Sequence, residues 1–106
     1  MQKAKIEMPR TRQNLIKEYL NKNNCSPSVS GYNVLLSVIS LALDNPDDNC
    51  EELFEKYISL VYEKPSVKAN RCAYRAATYC VHNSYSSAPG VYNFIRSCCN
   101  EIEGMG

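Results

Sequence analysis

A cluster of basic and amide side chains in the segment EKPSVKANRCAYRA, residues 63–76, has the chemistry to bind nucleic acid. Four cations stand there against one acid, in a chain whose formal net charge is only +1. Arginine can pair bidentately with guanine, asparagine can pair with adenine, and lysine can hold phosphates. The DNA-binding candidates in this segment and just after it are Lys64, Ser66, Lys68, Asn70, Arg71, Tyr74, Arg75 and Thr78.

A single helix must carry most of these side chains. Ser66 is a good N-cap residue, so we expect a helix from there to about His82. An advance of ~100° per residue gathers the small apolar residues into an arc of roughly 140° and leaves the basic residues opposite. The members of the small apolar arc are Ala69, Cys72, Ala73, Ala76, Ala77 and Cys80. A face of Ala and Cys predicts close packing on a neighbouring helix.

The rest of the chain is also typical of helices. Apolar residues recur at helical spacing in four more segments, and no segment alternates with period two over enough residues to predict a strand. The apolar positions are Leu15, Ile16, Tyr19 and Leu20; Tyr32, Leu35, Leu36, Ile39 and Leu43; Leu53, Phe54, Tyr57, Ile58 and Val61; and Tyr92, Ile95 and Cys99. We expect Thr11 to cap the first helix, the acids of NPDDN to begin the third, and Ser87 and Pro89 to begin the last.

The order of these elements predicts an all-α fold, a compact bundle of about five helices containing a helix-turn-helix and no wing. The helix-turn-helix spans about residues 50–82, with its turn around EKPS and its second helix at about 67–82. We predict a basic flexible tail at residues 1–10 and a single helical DNA-binding domain at 11–106.

Charge of each sign is segregated along the chain. Residues 1–22 hold six basic and two acidic side chains, and residues 44–56 hold six acidic and one basic. A basic start, an acidic middle and a basic patch at residues 63–75 are typical of a surface with separate charged regions, although solvation alone would explain any one block.

Several other classes of protein are disfavoured. No catalytic pair stands at usable spacing: Cys80 and His82 are two apart on a helix, and Asp47 and Asp48 have no partner base, so we expect no enzyme and no small-molecule substrate. No Cys-x-x-Cys occurs among the six cysteines, and His82 is the only histidine, so we expect neither metal nor other cofactor.

The cellular setting follows from the same sequence. No secretory signal or membrane span is evident, which predicts a cytoplasmic protein with reduced thiols and no membrane partner. The adjacent Cys98 and Cys99 cannot both face the core of one helix on this interpretation. One of them is therefore a candidate reactive thiol, set against the alternative that both are inert packing residues.

The segments SPSVSGYNVLLSVISLALDNPD and ELFEKYISLVYEKPSVKANRCAYRAA resemble the C-terminal DNA-binding (effector) domain of the sporulation response regulators of the stage zero sporulation protein A family. Gly31 and Tyr32 match the family's Gly-Tyr helix start, residues 53–62 its first motif helix, and residues 68–77 its recognition helix. The resemblance, which covers nearly all of the chain from residue 11, implies a sequence-specific transcription regulator that binds double-stranded DNA bearing a TGTCGAA-like box. It also implies that Arg71 reads a base.

The departures from the family concern the target sequence more than DNA binding itself. Asn70 and Tyr74 stand where the family has Glu and Arg, and Arg75 stands at a His position. No receiver domain precedes the helices here, so we expect the family's phosphorylation switch not to operate. A homodimer or paired sites on DNA are the expected assembly, since a few phosphate contacts bind weakly. The alternative is a protein-interaction module that kept the fold and does not read DNA.

Overall fold

Five α-helices account for most of the residues that the computed structural model describes, which are 3–64, 66–84 and 90–105. Numbered in chain order, the helices are α1 (Lys3–Lys22), α2 (Gly31–Asp44), α3 (Cys50–Val61), α4 (Val67–His82) and α5 (Val91–Met105). No strand occurs in these ranges. The predicted all-α class is therefore confirmed, and α3 and α4 follow one another across a short turn at the predicted positions.

Helix α2 is the centre of the bundle, because it packs against each of the other four helices. This explains why Val34 and Val38 are buried together with the predicted Leu35 and Ile39. A helix with neighbours on several sides buries more than one stripe, so the single amphipathic face expected from the sequence was too narrow.

The start of α1 differs from the prediction. The backbone of residues 3–10 is helical, so these residues belong to α1 rather than to a tail, and Thr11 lies inside the helix instead of capping it. Residues such as Ala4, Glu7 and Met8 have high helix propensity, which favours continuation of the helix toward the N-terminus. Helix α1 ends as expected in the NKNN segment, where Asn24 takes the left-handed conformation with φ 68°.

Side-chain hydrogen bonds define the starts of α3 and α4. Asn49 and Glu52 form a capping box, since each side chain accepts a hydrogen bond from the other residue's backbone N–H. The predicted cap Ser66 is confirmed: its Oγ accepts a hydrogen bond from the N–H of Ala69 at 3.0 Å. The predicted start of α5 at Ser87 and Pro89 lies outside the described residues.

The two cysteines of α5 are both buried, which contradicts the expectation that they cannot both face the core and favours the alternative that both are packing residues. Helix α5 packs against α1, α2 and α4, so adjacent positions on it can both meet other helices. Burial raises the pKa of Cys99 to about 11 and raises the pKa of Cys98 further. A buried thiol with a raised pKa is a poor nucleophile, so both residues fit the role of packing residues.

Candidate nucleic-acid interface

Helix α4 packs on α2 through a very close approach between the two helices. A Cβ atom added at Gly31 would lie 2.2 Å from the carbonyl oxygen of Ala76 and 2.9 Å from Cβ of Cys80. Only glycine at the start of α2 and small residues on α4 permit this separation. Ala73, Ala77 and Cys80 are buried at this contact, which confirms that small residues of α4 face the core.

Cys72 is an exception to the predicted small apolar face, because it is exposed. The buried stripe of α4 includes Val81 and extends toward the side that meets α3. Cys72 lies at the opposite edge of the predicted arc, where no helix covers it. The direction from which α3 packs therefore decided which edge of the arc was buried.

The exposed side of α4 carries three cations within one narrow sector. Lys68, Arg71 and Arg75 are all exposed, and none of the carboxylates that the structure describes lies within 4.0 Å of their charged nitrogens. At ~100° per residue they share a sector of about 100° with three further exposed residues. We call this sector the outer face of α4; its members are Lys68, Arg71, Cys72, Arg75, Tyr79 and His82.

Tyr79 belongs to this outer face and was not among the predicted site residues. Its side chain is 63% exposed, between Cys72 and Lys68 around the helix axis. An exposed aromatic ring beside cations can stack on a base or pack on a sugar. The helical spacing from Lys68 and Arg75 would have identified it, had the buried stripe been placed correctly.

Two of the predicted site residues, Asn70 and Tyr74, lie on the flank of α4 that faces α3, and Thr78 is exposed between that flank and the outer face. The Tyr74 ring packs edge-to-face on Phe54, with centroids 5.3 Å apart. Thr78 Oγ1 donates a hydrogen bond to the backbone oxygen of Tyr74 at 2.8 Å, within its own helix. Asn70 is half-buried beside Glu55. These three side chains therefore have structural roles or positions apart from the outer face.

The turn before α4 carries the two remaining candidates. Ser66 is exposed but its hydroxyl already caps α4, so it would meet a phosphate only beside that existing hydrogen bond. Lys64 is exposed in the turn and has no carboxylate within 4.0 Å among the described residues. The first turn of α4 has no acidic residue, so its free N–H groups and partial positive charge are open to an anion.

The side of α3 that faces away from the core has the opposite character. Shallow depressions flank this side: one is lined by Leu41 and Leu60 with Glu52, Glu55 and Lys56, and the others by Val67 with Glu51, Glu55 and Arg71. We call the outward side of α3 its acidic face; it carries Glu51, Glu52, Glu55 and Lys56, and Lys56 is paired with Asp48. Val61, which was predicted to face the core, is 54% exposed at the end of this helix.

Ion pairs neutralise part of the basic N-terminal region. Arg12 of α1 contacts Asp44 at the end of α2, with 2.8 Å between Nη1 and Oδ1. Lys22 Nζ contacts Glu101 Oε2 of α5 at 2.7 Å. These exposed pairs contribute little stability, on the order of 0–1 kcal/mol each. They direct positive charge of α1 toward acids of its own chain, whereas the outer face of α4 retains its charge.

The described residues show no feature of a metal site or of a membrane-spanning helix. They contain no group of three metal-ligating side chains. None of the helices they form is long and apolar enough to cross a bilayer. Cys80 is buried while His82 is exposed, so these two side chains point to different sides of α4.

Comparison with known proteins yields no relative: no protein-family model, curated protein or solved structure matches this chain. The resemblance to sporulation effector domains stays a prediction.

Proposed function

We propose that this protein is a sequence-specific DNA-binding transcription regulator that inserts α4 into the major groove. The observation that carries the proposal is the outer face of α4, where Lys68, Arg71 and Arg75 are exposed without a described acidic partner. Cations that are not neutralised within their own chain remain available to phosphates and base edges. The preceding turn and α3 supply the helix-turn-helix connection that such a docking requires.

The roles of individual residues follow from their positions. Arg71 and Arg75 are one turn apart on the outer face and are the side chains we assign to base edges, with Tyr79 beside them. Lys68, Lys64 and the first turn of α4 lie together at one end and are assigned to phosphates. Asn70 and Tyr74, on the α3 side, and Thr78, whose hydroxyl is bonded within α4, are not assigned to bases on this proposal.

The test is a fluorescence-anisotropy titration of a duplex bearing the TGTCGAA-like box against a scrambled duplex, at two salt concentrations. We expect preferential, salt-dependent binding to the box. Arg71→Ala should lose about 1–3 kcal/mol on the preferred duplex and relax discrimination there. Lys68→Ala should weaken both duplexes alike and lower the salt slope by about one.

Lys17→Ala is the matched control, since Lys17 is an exposed cation of α1 away from the outer face, and we expect its isotherm to be unchanged. Absence of binding to either duplex would refute the proposal. Equal weak binding to both would remove its sequence specificity.

A second candidate function is a protein-interaction module. The exposed Leu60 favours it, because Leu60 lines a depression together with Glu52 and Glu55, and DNA would not approach an acidic surface. Salt-insensitive binding to a protein without binding to any duplex would support this second function over the first.

A further inference from the structure

Two glutamates of α3 lie beside the outer-face cation that is nearest to that helix. At ~100° per residue, Arg71 is at the edge of the outer face next to the α3 flank, and Arg75 is about 40° further from it. Glu51 and Glu55 line one depression of about 320 Å³ together with Arg71. None of these three side chains has an oppositely charged described side chain within 4.0 Å. Both acids are therefore near Arg71 without being paired to it.

The stability of α3 accounts for these glutamates only in part. The helix dipole favours Glu51 in the first turn, but this effect falls off before Glu55. The start of α3 is already capped by Asn49 and Glu52, and the lysine of α3 is bound to an aspartate of the preceding turn. Glu51 and Glu55 are exposed and four residues apart, and like charges at that spacing repel one another. Their position beside Arg71 therefore points to a role outside the fold.

A carboxylate near an arginine affects phosphate contacts and base contacts differently. A phosphate is negatively charged, so a nearby carboxylate repels it and offsets the attraction of the arginine. The edge of a guanine is uncharged, and its pairing with arginine depends on two directed hydrogen bonds. Acids beside Arg71 therefore disfavour its contact with a phosphate more than its contact with a base.

The other cations of the outer face are further from these acids. Around the helix axis, Arg75 and Lys68 are about 40° and 60° further from α3 than Arg71. Attraction to the phosphates of any duplex can therefore come from these two residues, independent of sequence. Arg71 is the cation at which phosphate contact is opposed by neighbouring carboxylates.

We propose that Glu51 and Glu55 are specificity-determining residues, which keep Arg71 from binding the phosphates of any duplex and restrict it to a base edge. A duplex with the matching base gains the contact with Arg71 and other duplexes do not, and specificity is this difference in affinity. The inference rests on the proposed DNA binding through the outer face of α4. It concerns discrimination between sequences and not binding itself.

The test uses the box duplex and the scrambled duplex with the double variant Glu51→Gln/Glu55→Gln. Glutamine keeps the shape of glutamate and removes its charge, and both positions are exposed, so the variant should fold, which a thermal melt checks. We expect the scrambled duplex to bind at least about threefold more tightly, and the box duplex to change less. The salt slope on the scrambled duplex should steepen by about one, because Arg71 gains a phosphate contact.

Three control variants locate the effect at Arg71. Glu18→Gln removes the charge of an exposed acid of α1 and should change the affinity for neither duplex. In an Arg71→Ala background the two glutamine substitutions should no longer improve binding of the scrambled duplex. In an Arg75→Ala background they should improve it by the same factor as in the unaltered protein.

Two results would overturn this inference while the proposed function stands. In the first, the unaltered protein discriminates between the duplexes and the double variant discriminates equally well, because both affinities are unchanged or both rise alike. In the second, the gain on the scrambled duplex persists in the Arg71→Ala background. If the unaltered protein binds both duplexes equally or binds neither, the proposed sequence-specific function fails first and this inference falls with it.

Discussion

The acidic face of α3 and the outer face of α4 lie on consecutive helices and differ in nearly every respect. The acidic face carries three glutamates and one lysine, with Leu60 exposed beside it, whereas the outer face of α4 is basic with one exposed tyrosine. Their buried sides differ too: α3 buries the large Leu53, Phe54 and Ile58, while α4 buries Ala73, Ala77 and Cys80. The large residues fill the core, and the small ones let α4 lie directly on α2.

This difference indicates from which direction a charged partner can approach. Of these two regions, the outer face of α4 attracts a polyanion and the acidic face of α3 attracts a cationic partner. The Phe54–Tyr74 ring pair holds the two helices together between these regions. Three substitutions test this comparison. They disturb the ring pair, the close contact between α2 and α4, and the cap of α4.

Loss of the ring pair should have the largest effect. Phe54→Ala removes a fully buried side chain that also supports Tyr74, and we expect the free energy of unfolding to fall by about 3–5 kcal/mol. Urea unfolding followed by circular dichroism measures it. Leu60→Ala, on the exposed side of the same helix, is the control and should change stability by less than about 0.5 kcal/mol. Similar losses for both variants would mean that α3 does not have distinct buried and exposed sides.

Disturbing the close contact between α2 and α4 should have the next largest effect on stability. Gly31→Ala places a methyl group against the backbone of α4, and we expect a loss of about 1–3 kcal/mol in unfolding free energy. Gly104→Ala is the matched control, because nothing lies within 4 Å of a Cβ at that position on α5. The denaturation midpoints of the two variants measure this loss of stability. Equal midpoints would contradict the close contact between α2 and α4.

The cap of α4 has the smallest expected effect and separates two roles of one residue. Ser66→Ala should lower the free energy of unfolding by about 1 kcal/mol, since it removes the acceptor for the Ala69 N–H. Ser66→Asp retains an acceptor and should restore that stability, yet its negative charge should weaken binding of any duplex at the start of α4. Thermal melts and anisotropy titrations on both variants measure these effects.

A matched control for the cap is Ser59→Ala, because Ser59 is an exposed serine of α3 and should have almost no effect on stability. If Ser66→Asp bound duplexes as well as the unaltered protein, the start of α4 would not face phosphates. The assignment of Lys68 to phosphates would then lose its geometric support.

Much of the fold could be predicted because local chemistry decides it. The starts of α3 and α4 follow from Asn49 and Ser66. Their side chains accept hydrogen bonds from backbone N–H groups three residues ahead, which needs no contact with distant residues. The basic outer face follows from helical spacing alone, since Lys68, Arg71 and Arg75 share one side of any helix in this segment. Tyr79 shares that side as well and was missed only because the centre of the buried stripe was misplaced.

Apart from the start of α1, the remaining errors come from contacts between helices. Cys98 and Cys99 are both buried because α5 lies against several neighbours, and Cys72 is exposed because α3 approaches α4 from the other flank. Asn70 and Tyr74 lie off the outer face because of their positions around the helix axis, and packing decided that Tyr74 meets Phe54 there.

By itself the sequence determined the helices, the cap of α4 and the sign of charge on α3 and α4, because these depend on residues at most four positions apart. Only the tertiary structure decided which helix flanks are covered, and so where the acidic face of α3 and the basic outer face of α4 begin and end. Burial depends on the arrangement of all five helices around α2, and a close contact such as Gly31 against Ala76 forms only when that arrangement is complete.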